Sequence, residues 1–328
     1  MSIPAKQKTL FLPAVQGVMT VQVNDVPKPG PDDLLIKIEA AALNPVDWKI
    51  IEIGLFLDKY PAVLGLDGAG TVVAVGTNVT DFKIGDRVYL PDSVSFDEGA
   101  TISICAATAG IGLYKKDDSG DSAGLTAPWE DGGRTAYAGK PAVVLGGSAS
   151  VGQYALQFLR LSGFSPIITT VSPRNTEFVK AVGATHILDR SLPAETLQAE
   201  ITKLAGGPVE VVYDAISTKE NQDLAYDVVS PHGSLVLVLH EVIDAAKKTG
   251  DKKPTVVFAR GGLAYPQNMH FSVGFVKELS KLLEAGSFKP NVFEVLPGGL
   301  NAVAGGLERL EAGTVSARKL VIRPQETA

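Results

Sequence analysis

The sequence predicts an α/β fold in two parts, a doubly wound parallel sheet and a smaller β-rich domain. The first observation is residues 141–163, PAVVLGGSASVGQYALQFLRLSG, where a short apolar run breaks at two glycines and restarts with apolar residues at helical spacing. The second is the alternation of strand-like and helical patterns that follows this segment. The third is the first part of the chain, where glycines separate short β-branched runs, a pattern that indicates a small barrel.

Composition excludes several classes of protein. The 328 residues are enough for two domains with substantial cores. The net charge of −6, with no basic run longer than two residues, argues against a nucleic-acid partner. No apolar stretch has membrane-spanning length, and the N-terminal apolar run is too short for a signal peptide. A single cysteine, Cys105, excludes an intrachain disulfide framework, so we expect a cytoplasmic protein without a membrane partner.

Short β-branched runs predict the strands of the β-rich domain. These runs are 8–14, 20–26, 34–43 and the glycine-punctuated segment 60–75, and residues 82–88 predict a turn into a further strand. Small residues at helical spacing predict a closely packed helix over 95–114. The polar, glycine-rich segment that follows, 115–140, predicts a surface loop.

Five apolar runs separated by helical patterns predict the parallel sheet. The runs are 142–147, 166–171, 185–190, 209–216 and 234–240. After residue 271 we expect a helix to 283, a strand at 293–298, a helix to 310 and a last strand at 320–324. These last elements are expected to return to the first domain.

The turn between the first strand of the sheet and its helix has the spacing of a dinucleotide-binding loop. Gly147 and Gly152 occupy the outer places of G-x-G-x-x-G, and Ala149 takes the middle one. In such a loop, backbone N–H groups at the helix N-terminus bind the pyrophosphate. A packing turn without a ligand is the alternative. The candidate binding residues are Gly147, Ser148, Ala149, Ser150, Val151 and Gly152.

Eight segments carry a family resemblance, and they follow one another along nearly the whole chain. They are ALNPVDWK (42–49), GLDGAGTV (65–72), GDRV (85–88), ATAG (107–110), GGSASVGQ (146–153), GAT (183–185), YDA (213–215) and GLERL (306–310). With these segments the chain resembles a medium-chain dehydrogenase/reductase of the zinc-free branch, which holds quinone oxidoreductases and enoyl reductases. It is most similar to fungal ToxD-like oxidoreductases and to the trans-acting enoyl reductases of polyketide assembly.

The resemblance implies both domain organisation and function. It implies a GroES-like catalytic domain at 1–112 and 266–328, and an NADP-binding Rossmann domain at 113–265. The implied activity is NADPH-dependent reduction of an activated C=C bond, in an enone or enoyl thioester, or of a quinone. A small molecule is the expected substrate, and a carrier-bound acyl group and a homodimer are further options. The alternative is a nucleotide-binding scaffold or sensor with weak or no catalysis.

One departure from the family pattern follows Val88. Family members continue for several strands before a segment like LPDSVSF, residues 90–96, whereas here Tyr89 follows directly. We therefore expect a truncated barrel that lacks roughly three to four strands and has unpaired strand edges. A splice variant, a gene-model error and a natural deletion would each explain the gap.

The sequence predicts no metal site. Zinc is bound by Cys and His in tetrahedral geometry, but the family's ligand positions fall near Val46 and at Leu66, which cannot coordinate it. One cysteine cannot form a four-cysteine structural site. None of the four histidines has ligand-like spacing to another.

The dinucleotide is predicted to be NADP(H). An NAD enzyme carries an acidic residue after the second strand for the ribose 2′-hydroxyl, but that place reads Ser172, Pro173, Arg174 and Asn175. The planar guanidinium of Arg174 suits a 2′-phosphate, although an exposed charge at a helix start is the alternative. Arg190 falls where relatives place a residue beside the adenine. The resemblance implies further cofactor contacts at Val46, Asp47, Trp48, Lys49, Leu239, His240, Val315 and Ser316.

Two residues are predicted to take part in the reduction, which needs a donor at the carbonyl oxygen as enolate charge grows. Lys49, after the Asn44-Pro45 motif, is the first candidate, and Thr108 in the small-residue helix is the second. A solvated lysine is the alternative for Lys49. Asp67 is expected to be structural, and solvent is expected to supply the proton.

Overall fold

The computed structural model describes residues 3–54, 57–88, 90–117 and 119–328. The chain divides into two compact units, which we call the β-rich unit (Met1–Ser103 with Leu282–Ala328) and the α/β unit (Ile104–Lys281). Both ends of the chain contribute to the β-rich unit. The domain bounds expected from the sequence, 1–112 with 266–328, stay a prediction.

The secondary structure follows the predicted order. The strands are β1 Lys6–Leu12, β2 Thr20–Asp25, β3 Leu34–Ala42, β4 Ala62–Val63, β5 Asp67–Val75, β6 Ala142–Leu145, β7 Ile167–Val171, β8 His186–Asp189, β9 Val209–Asp214, β10 Val229–Leu237, β11 Thr255–Phe258, β12 Phe293–Val295 and β13 Lys319–Ile322. The helices are α1 Pro45–Ile53, α2 Phe96–Gly99, α3 Ser103–Tyr114, α4 Ser150–Leu161, α5 Thr176–Val182, α6 Ala194–Ala205, α7 Lys219–Val228, α8 Met269–Glu284 and α9 Val303–Glu311.

The β-rich unit contains two sheets, with strand orders β2-β1-β4 and β12-β13-β3-β5. All pairs are antiparallel except β12 with β13. A core cluster lies beside β13 and α9, and α1 packs on α9. Its buried members are Leu43, Leu296, Val303, Leu307, Leu320 and Ile322.

Two expectations for this part of the chain are wrong in detail. Residues 82–88 form no strand, because the chain turns at Gly85, with φ of +98°, and only Arg87 makes an isolated bridge, to Thr71. The helix predicted over 95–114 is found as α2 and α3. Thr101 lies between them, and its hydroxyl donates to the carbonyl of Glu98 at 2.7 Å, a side-chain bond that competes with helix continuation.

The α/β unit confirms the doubly wound parallel sheet, with strand order β11-β10-β9-β6-β7-β8. Every residue of β6 and β7 is buried, as in a sheet covered by helices on both faces. The strand order reverses between β6 and β9, which makes this the switch point of the sheet. Sequence reasoning missed β11, which is only four residues long, Thr255–Phe258, and follows a 3-10 turn instead of an α-helix.

More than half of the described residues in the segment 115–140 are exposed, as expected for a surface loop, but the segment is anchored at two places. Lys115 is fully buried, and its Nζ bonds Asp121 Oδ2 at 2.7 Å and Asn268 Oδ1 at 3.0 Å. The ring of Trp129 packs edge-on against Tyr114 at 5.3 Å. A buried ion pair at Lys115 and an aromatic contact at Trp129 therefore hold this loop against the α/β unit. In the described residues, no helix has both the length and the apolar character needed to cross a membrane.

Candidate functional site

The predicted binding residues of the α/β unit converge on one edge of the sheet. In a parallel sheet the carboxyl ends of all strands lie at the same edge. The glycine-rich turn follows β6, Ser172 follows β7, Arg190 follows β8, and Leu239 and His240 come two and three residues after β10. The structure therefore brings these separate sequence segments to the switch-point edge.

Close packing explains both glycines of the turn. A β-carbon at Gly152 would lie 2.3 Å from the carbonyl oxygen of Gly146, and one at Gly147 would lie 2.2 Å from Thr169 Oγ1. Gly146 has a φ of +77°, a backbone conformation that residues other than glycine rarely adopt. Only glycine at these places lets β6 turn tightly into α4.

The N-terminus of α4 has no side-chain cap. Ala149 is the N-cap residue and cannot accept a hydrogen bond through its side chain. Gln153 of α4 instead holds the backbone that precedes the helix, because its Nε2 donates to the carbonyl of Ser148 at 3.0 Å. A helix N-terminus of this kind attracts anions through its N–H groups and its dipole.

The end of β7 carries a cation and no carboxylate. Ser172 is half-buried, Pro173 and Arg174 are exposed, and Asn175 is buried in the 3-10 turn that leads into α5. Arg174 has no ion-pair partner among the residues that the structure describes. Arg190 is also exposed. Asp189, at the end of β8, is engaged with its own loop, where Ser191 donates from its N–H at 2.9 Å and its hydroxyl at 2.8 Å and lowers the pKa of the carboxyl.

Sequence reasoning missed Asp214, the last residue of β9 at the switch point. Its side chain is fully buried, and burial raises its pKa to about 6 in spite of the N–H donors of Ser217 at 2.8 Å and Ile216 at 3.0 Å. Nearby, the carbonyl of His240 accepts from Gln222 Nε2 at 3.0 Å. The sequence VVYD (211–214) gave the signal, because an acid ends a run of apolar residues.

In the β-rich unit, the candidate lysine lies on α1. Lys49 is half-buried, burial lowers the pKa of its ammonium, and Nζ lies 5.5 Å from the ring centroid of Trp48. Val46 is half-buried and Asp47 is buried on the same helix. Trp48 and Val315 pack against the same core cluster, whose buried members are given above. Ser316, which follows Val315, is half-buried. The predicted cofactor contacts of this unit therefore lie on α1 and on the segment after α9.

A buried polar network joins Asn44, Asp67 and Lys319 in the β-rich unit. Lys319 Nζ lies 2.7 Å from Asp67 Oδ2 and 2.6 Å from Asn44 Oδ1, and Asn44 Nδ2 donates to Asp67 Oδ2 at 2.9 Å. Asp67 is therefore structural, as expected, whereas sequence reasoning missed Lys319. Within the described ranges no three Cys, His, Asp or Glu residues form a group suited to a metal ion. Metal-free action stays a prediction.

The second candidate, Thr108, is almost buried in α3 of the α/β unit. Its hydroxyl donates to the carbonyl of Ile104 at 2.7 Å, and its own carbonyl accepts from the hydroxyl of Tyr213 at 3.0 Å. A β-carbon at Gly261 would lie 2.1 Å from Thr108 Oγ1. The hydroxyl proton is thus used in a hydrogen bond within the helix, although the hydroxyl oxygen can still accept a hydrogen bond.

A parallel six-stranded sheet with a glycine-lined helix N-terminus at its switch point defines a dinucleotide-binding fold of the Rossmann type. Two family models match the chain, "Alcohol dehydrogenase GroES-like domain" over residues 30–129 and "Zinc-binding dehydrogenase" over 150–263. The trans-enoyl reductase eqxC of Fusarium heterosporum is 31% identical over 352 residues, covering 93% of this chain and 95% of that protein. The trans-enoyl reductase RAP2 of Pyricularia oryzae is 30% identical and covers 98% of this chain and 99% of that protein.

The chain therefore belongs to the medium-chain dehydrogenase/reductase family, in the branch of quinone oxidoreductases and enoyl reductases. It is an oxidoreductase that uses a nicotinamide dinucleotide and acts on small molecules. Solved structures agree on the fold. The quinone oxidoreductase of Pseudomonas syringae has a TM-score of 0.79 and 24% identity, covering 97% of this chain and 99% of that chain. The CurK enoyl reductase has a TM-score of 0.75 and 20% identity, with coverage of 98% and 99%.

Proposed function

We propose that this protein is an NADPH-dependent reductase of an activated carbon–carbon double bond, with an enoyl thioester as its substrate class. The proposal rests on the carboxyl edge of the sheet. The glycine-lined start of α4 lies at this edge, and the turn after β7 at the same edge carries Arg174 and no acidic residue. The names of the relatives, trans-enoyl reductases at 30–31% identity, support the enoyl group.

The residues at this edge fit a nicotinamide dinucleotide phosphate. Because Gly152 has no β-carbon, α4 can begin directly against the turn after β6, and the backbone N–H groups of its first turn would bind the pyrophosphate. Arg174 and Ser172 would bind the 2′-phosphate, since a guanidinium forms charge-assisted bonds with phosphate oxygens. When bound, the nicotinamide supplies the hydride.

Lys49 would donate a hydrogen bond to the carbonyl oxygen that is conjugated with the double bond. Its ammonium is partly desolvated, as the lowered pKa and the Trp48 contact indicate. A desolvated cation interacts more strongly with developing enolate charge than one in water does. The hydroxyl oxygen of Thr108 would accept a hydrogen bond from the nicotinamide or the substrate. Solvent would protonate the α-carbon.

We also propose that this chain lacks a segment after Val88. The match to eqxC extends over 352 residues although it uses only 93% of a 328-residue chain, so the relative has residues with no counterpart here. Tyr89, at the junction, lies outside the described residues. The described residues between β5 and β6 form no strand, which is consistent with a shortened barrel and with weak turnover. Homodimer formation, a carrier-bound substrate and a cytoplasmic location remain predictions.

Steady-state oxidation of NADPH with enoyl thioesters, enones and quinones tests this function. We expect the enoyl thioester to be the best substrate. Lys49→Met should lower kcat by about tenfold to a hundredfold, because it removes one charge-stabilising donor. Lys59→Met, which changes an exposed lysine of the same unit, is the matched control. NADPH binding without turnover of any substrate would instead favour the scaffold alternative.

A further inference from the structure

A buried lysine and a buried asparagine join two distant parts of the α/β unit. Lys115, the residue after α3, is 0% exposed, and so is Asn268, the residue before α8. Lys115 Nζ donates to Asn268 Oδ1 at 3.0 Å and to Asp121 Oδ2 at 2.7 Å. Because the lysine has only donors, its contact fixes which branch of the amide is the oxygen and turns the amide nitrogen to the other side.

The amide nitrogen of Asn268 holds the loop that follows β11, residues 259–262, which we call the β11 loop. Asn268 Nδ2 donates to the carbonyl of Gly262 at 2.8 Å and to the carbonyl of Arg260 at 3.3 Å. A buried donor that lost these acceptors would remain unsatisfied, which is costly. The asparagine therefore fixes the backbone of the β11 loop at two points.

The β11 loop packs on the turn of α3 that carries Thr108. A β-carbon at Gly261 would lie 2.1 Å from Thr108 Oγ1 and 2.7 Å from the carbonyl oxygen of Ile104. That carbonyl is the one to which the Thr108 hydroxyl donates. The backbone of the loop and the hydroxyl are thus in direct contact, so a displacement of the loop changes the surroundings of the hydroxyl.

The β11 loop lies on the side of the sheet where the nicotinamide half of a dinucleotide would bind. β11 is parallel to β10, so its loop lies at the carboxyl edge. In the strand order β11-β10-β9-β6-β7-β8, Arg174 follows β7, on one side of the turn after β6, and the β11 loop is on the other. A dinucleotide with its pyrophosphate at α4 and its 2′-phosphate at Arg174 must extend its other half toward β9, β10 and β11.

We propose that Asn268 is a positioning residue for the nicotinamide half of the dinucleotide, and that Lys115 sets its orientation. Asn268 holds the β11 loop against Thr108 and acts only through that loop, since the asparagine is fully buried. Loss of its two donor bonds releases the loop and weakens the binding of the nicotinamide half, whereas the adenosine half binds as before. This role rests on the proposed function, because it needs a dinucleotide at the carboxyl edge.

Isothermal titration of the full chain with the whole cofactor and with its adenosine half tests the proposal. Adenosine 2′,5′-bisphosphate carries the 2′-phosphate but no nicotinamide, so its affinity reports on the side of Arg174 alone. Asn268→Asp keeps an acceptor for Lys115 and replaces the amide donor with an oxygen that repels the carbonyls of the β11 loop. The dissociation constant of NADPH should rise by at least about tenfold, and that of the bisphosphate by less than about twofold.

Tyr226→Phe is the matched control for this variant. It also removes a side-chain bond to a loop carbonyl of the same unit, because the hydroxyl of Tyr226 donates to the carbonyl of Lys252 at 2.9 Å. Lys252 precedes β11 and therefore lies at the opposite edge of the sheet. Both affinities should stay within about twofold of their native values in this control.

Gly261→Ala displaces the same loop and leaves the Lys115–Asn268 contact unchanged. Its β-carbon would clash with α3 at Thr108, so we expect the same selective loss of NADPH affinity. Gly274→Ala, on α8, is the matched control, because its β-carbon would meet no atom within 4 Å. Hydrogen–deuterium exchange of the native protein needs no variant. NADPH should slow exchange in residues 259–268, and the bisphosphate should not.

Two results would overturn the positioning role and leave the proposed function intact, because the native protein would still bind NADPH. The first is an Asn268→Asp variant that weakens NADPH and the bisphosphate equally, or that does not weaken NADPH. The second is exchange in residues 259–268 that NADPH does not slow, which remains decisive if the variants fail to fold. Native protein that binds neither compound would contradict the proposed function, and the positioning role with it.

Discussion

Lys319 and Asp67 form an ion pair with an Nζ–Oδ2 distance of 2.7 Å, although 252 residues separate them and their side chains are 2% and 0% exposed. Asn44 bonds both partners, with its Oδ1 2.6 Å from the lysine and its Nδ2 2.9 Å from the carboxylate. Three chain segments that are far apart in sequence are thus joined in the interior of the β-rich unit.

Lys319→Met should destabilise the protein strongly, because it leaves the Asp67 carboxylate buried without its countercharge. Breaking one side of a buried pair costs about 3–5 kcal/mol. Urea unfolding followed by circular dichroism measures the loss. Lys28→Met, at an exposed lysine of the same unit, is the control and should change stability by less than about 0.5 kcal/mol. Adding Asp67→Leu to Lys319→Met should recover part of the loss, and no recovery would contradict the account.

Asp214 should make the protein less stable as pH rises from about 4 to 6. Burial raises its pKa to about 6, above the usual value of 3.8, so the folded state binds more protons than the unfolded state in this interval. Stability falls with rising pH wherever the folded state binds more protons. The full effect on the free energy of unfolding is about 3 kcal/mol.

Asp214→Asn removes this titration and keeps an oxygen that accepts from Ser217 and Ile216. Its stability relative to the native protein should therefore improve steadily between pH 4 and 6, and level off above that. Denaturant unfolding at several pH values measures this difference, in which other carboxylates cancel. A difference in stability that does not depend on pH would show that the pKa of Asp214 is not raised in the folded protein.

Arg174→Ala should weaken the binding of NADPH far more than that of NADH. A charge-assisted bond to phosphate is worth about 1.5–3 kcal/mol, so the NADPH dissociation constant should rise by about tenfold to a hundredfold. Fluorescence titration with both dinucleotides measures this. Lys180→Ala removes an exposed cation from the following helix and serves as the control. Equal losses for NADPH and NADH would mean that Arg174 does not contact the 2′-phosphate.

The purified protein should contain no stoichiometric zinc. Leu66 stands at a family ligand position, and the only cysteine, Cys105, is buried in the other unit. Elemental analysis measures the metal content, and turnover after dialysis against a chelator measures its relevance. One zinc per chain, or activity lost in chelator and restored by zinc, would contradict this prediction.

The sequence predicted the α/β unit well, because buried parallel strands are nearly continuous apolar runs that short-range patterns reveal. The glycine-rich turn could be placed for the same reason, as its packing contacts are local. The burial of Lys115 could not be predicted, because its partner Asn268 is 153 residues away. The same holds for Lys319, which reads as an ordinary surface lysine until β13 pairs with β3.

The division of the helix predicted over 95–114 coincides with a side-chain hydrogen bond of Thr101. Thr101 can continue a helix or bond a backbone carbonyl, and the sequence does not distinguish these outcomes, whereas the fold does. Asp47 is a similar case. The resemblance implies a cofactor contact, but its burial near Asp67 and Lys319, which are distant in sequence, is not described by a local motif.

Isotope transfer from NADPH tests directly whether the protein reduces the double bond of an enoyl thioester. NADPH that carries deuterium at C4 of the nicotinamide is incubated with the protein and an enoyl thioester, and the saturated product is analysed by mass spectrometry. We expect one deuterium at the β-carbon of the product and none at the α-carbon, which receives its proton from solvent. Loss of label from NADPH without a deuterated saturated thioester, or no product while NADPH binds, would contradict it.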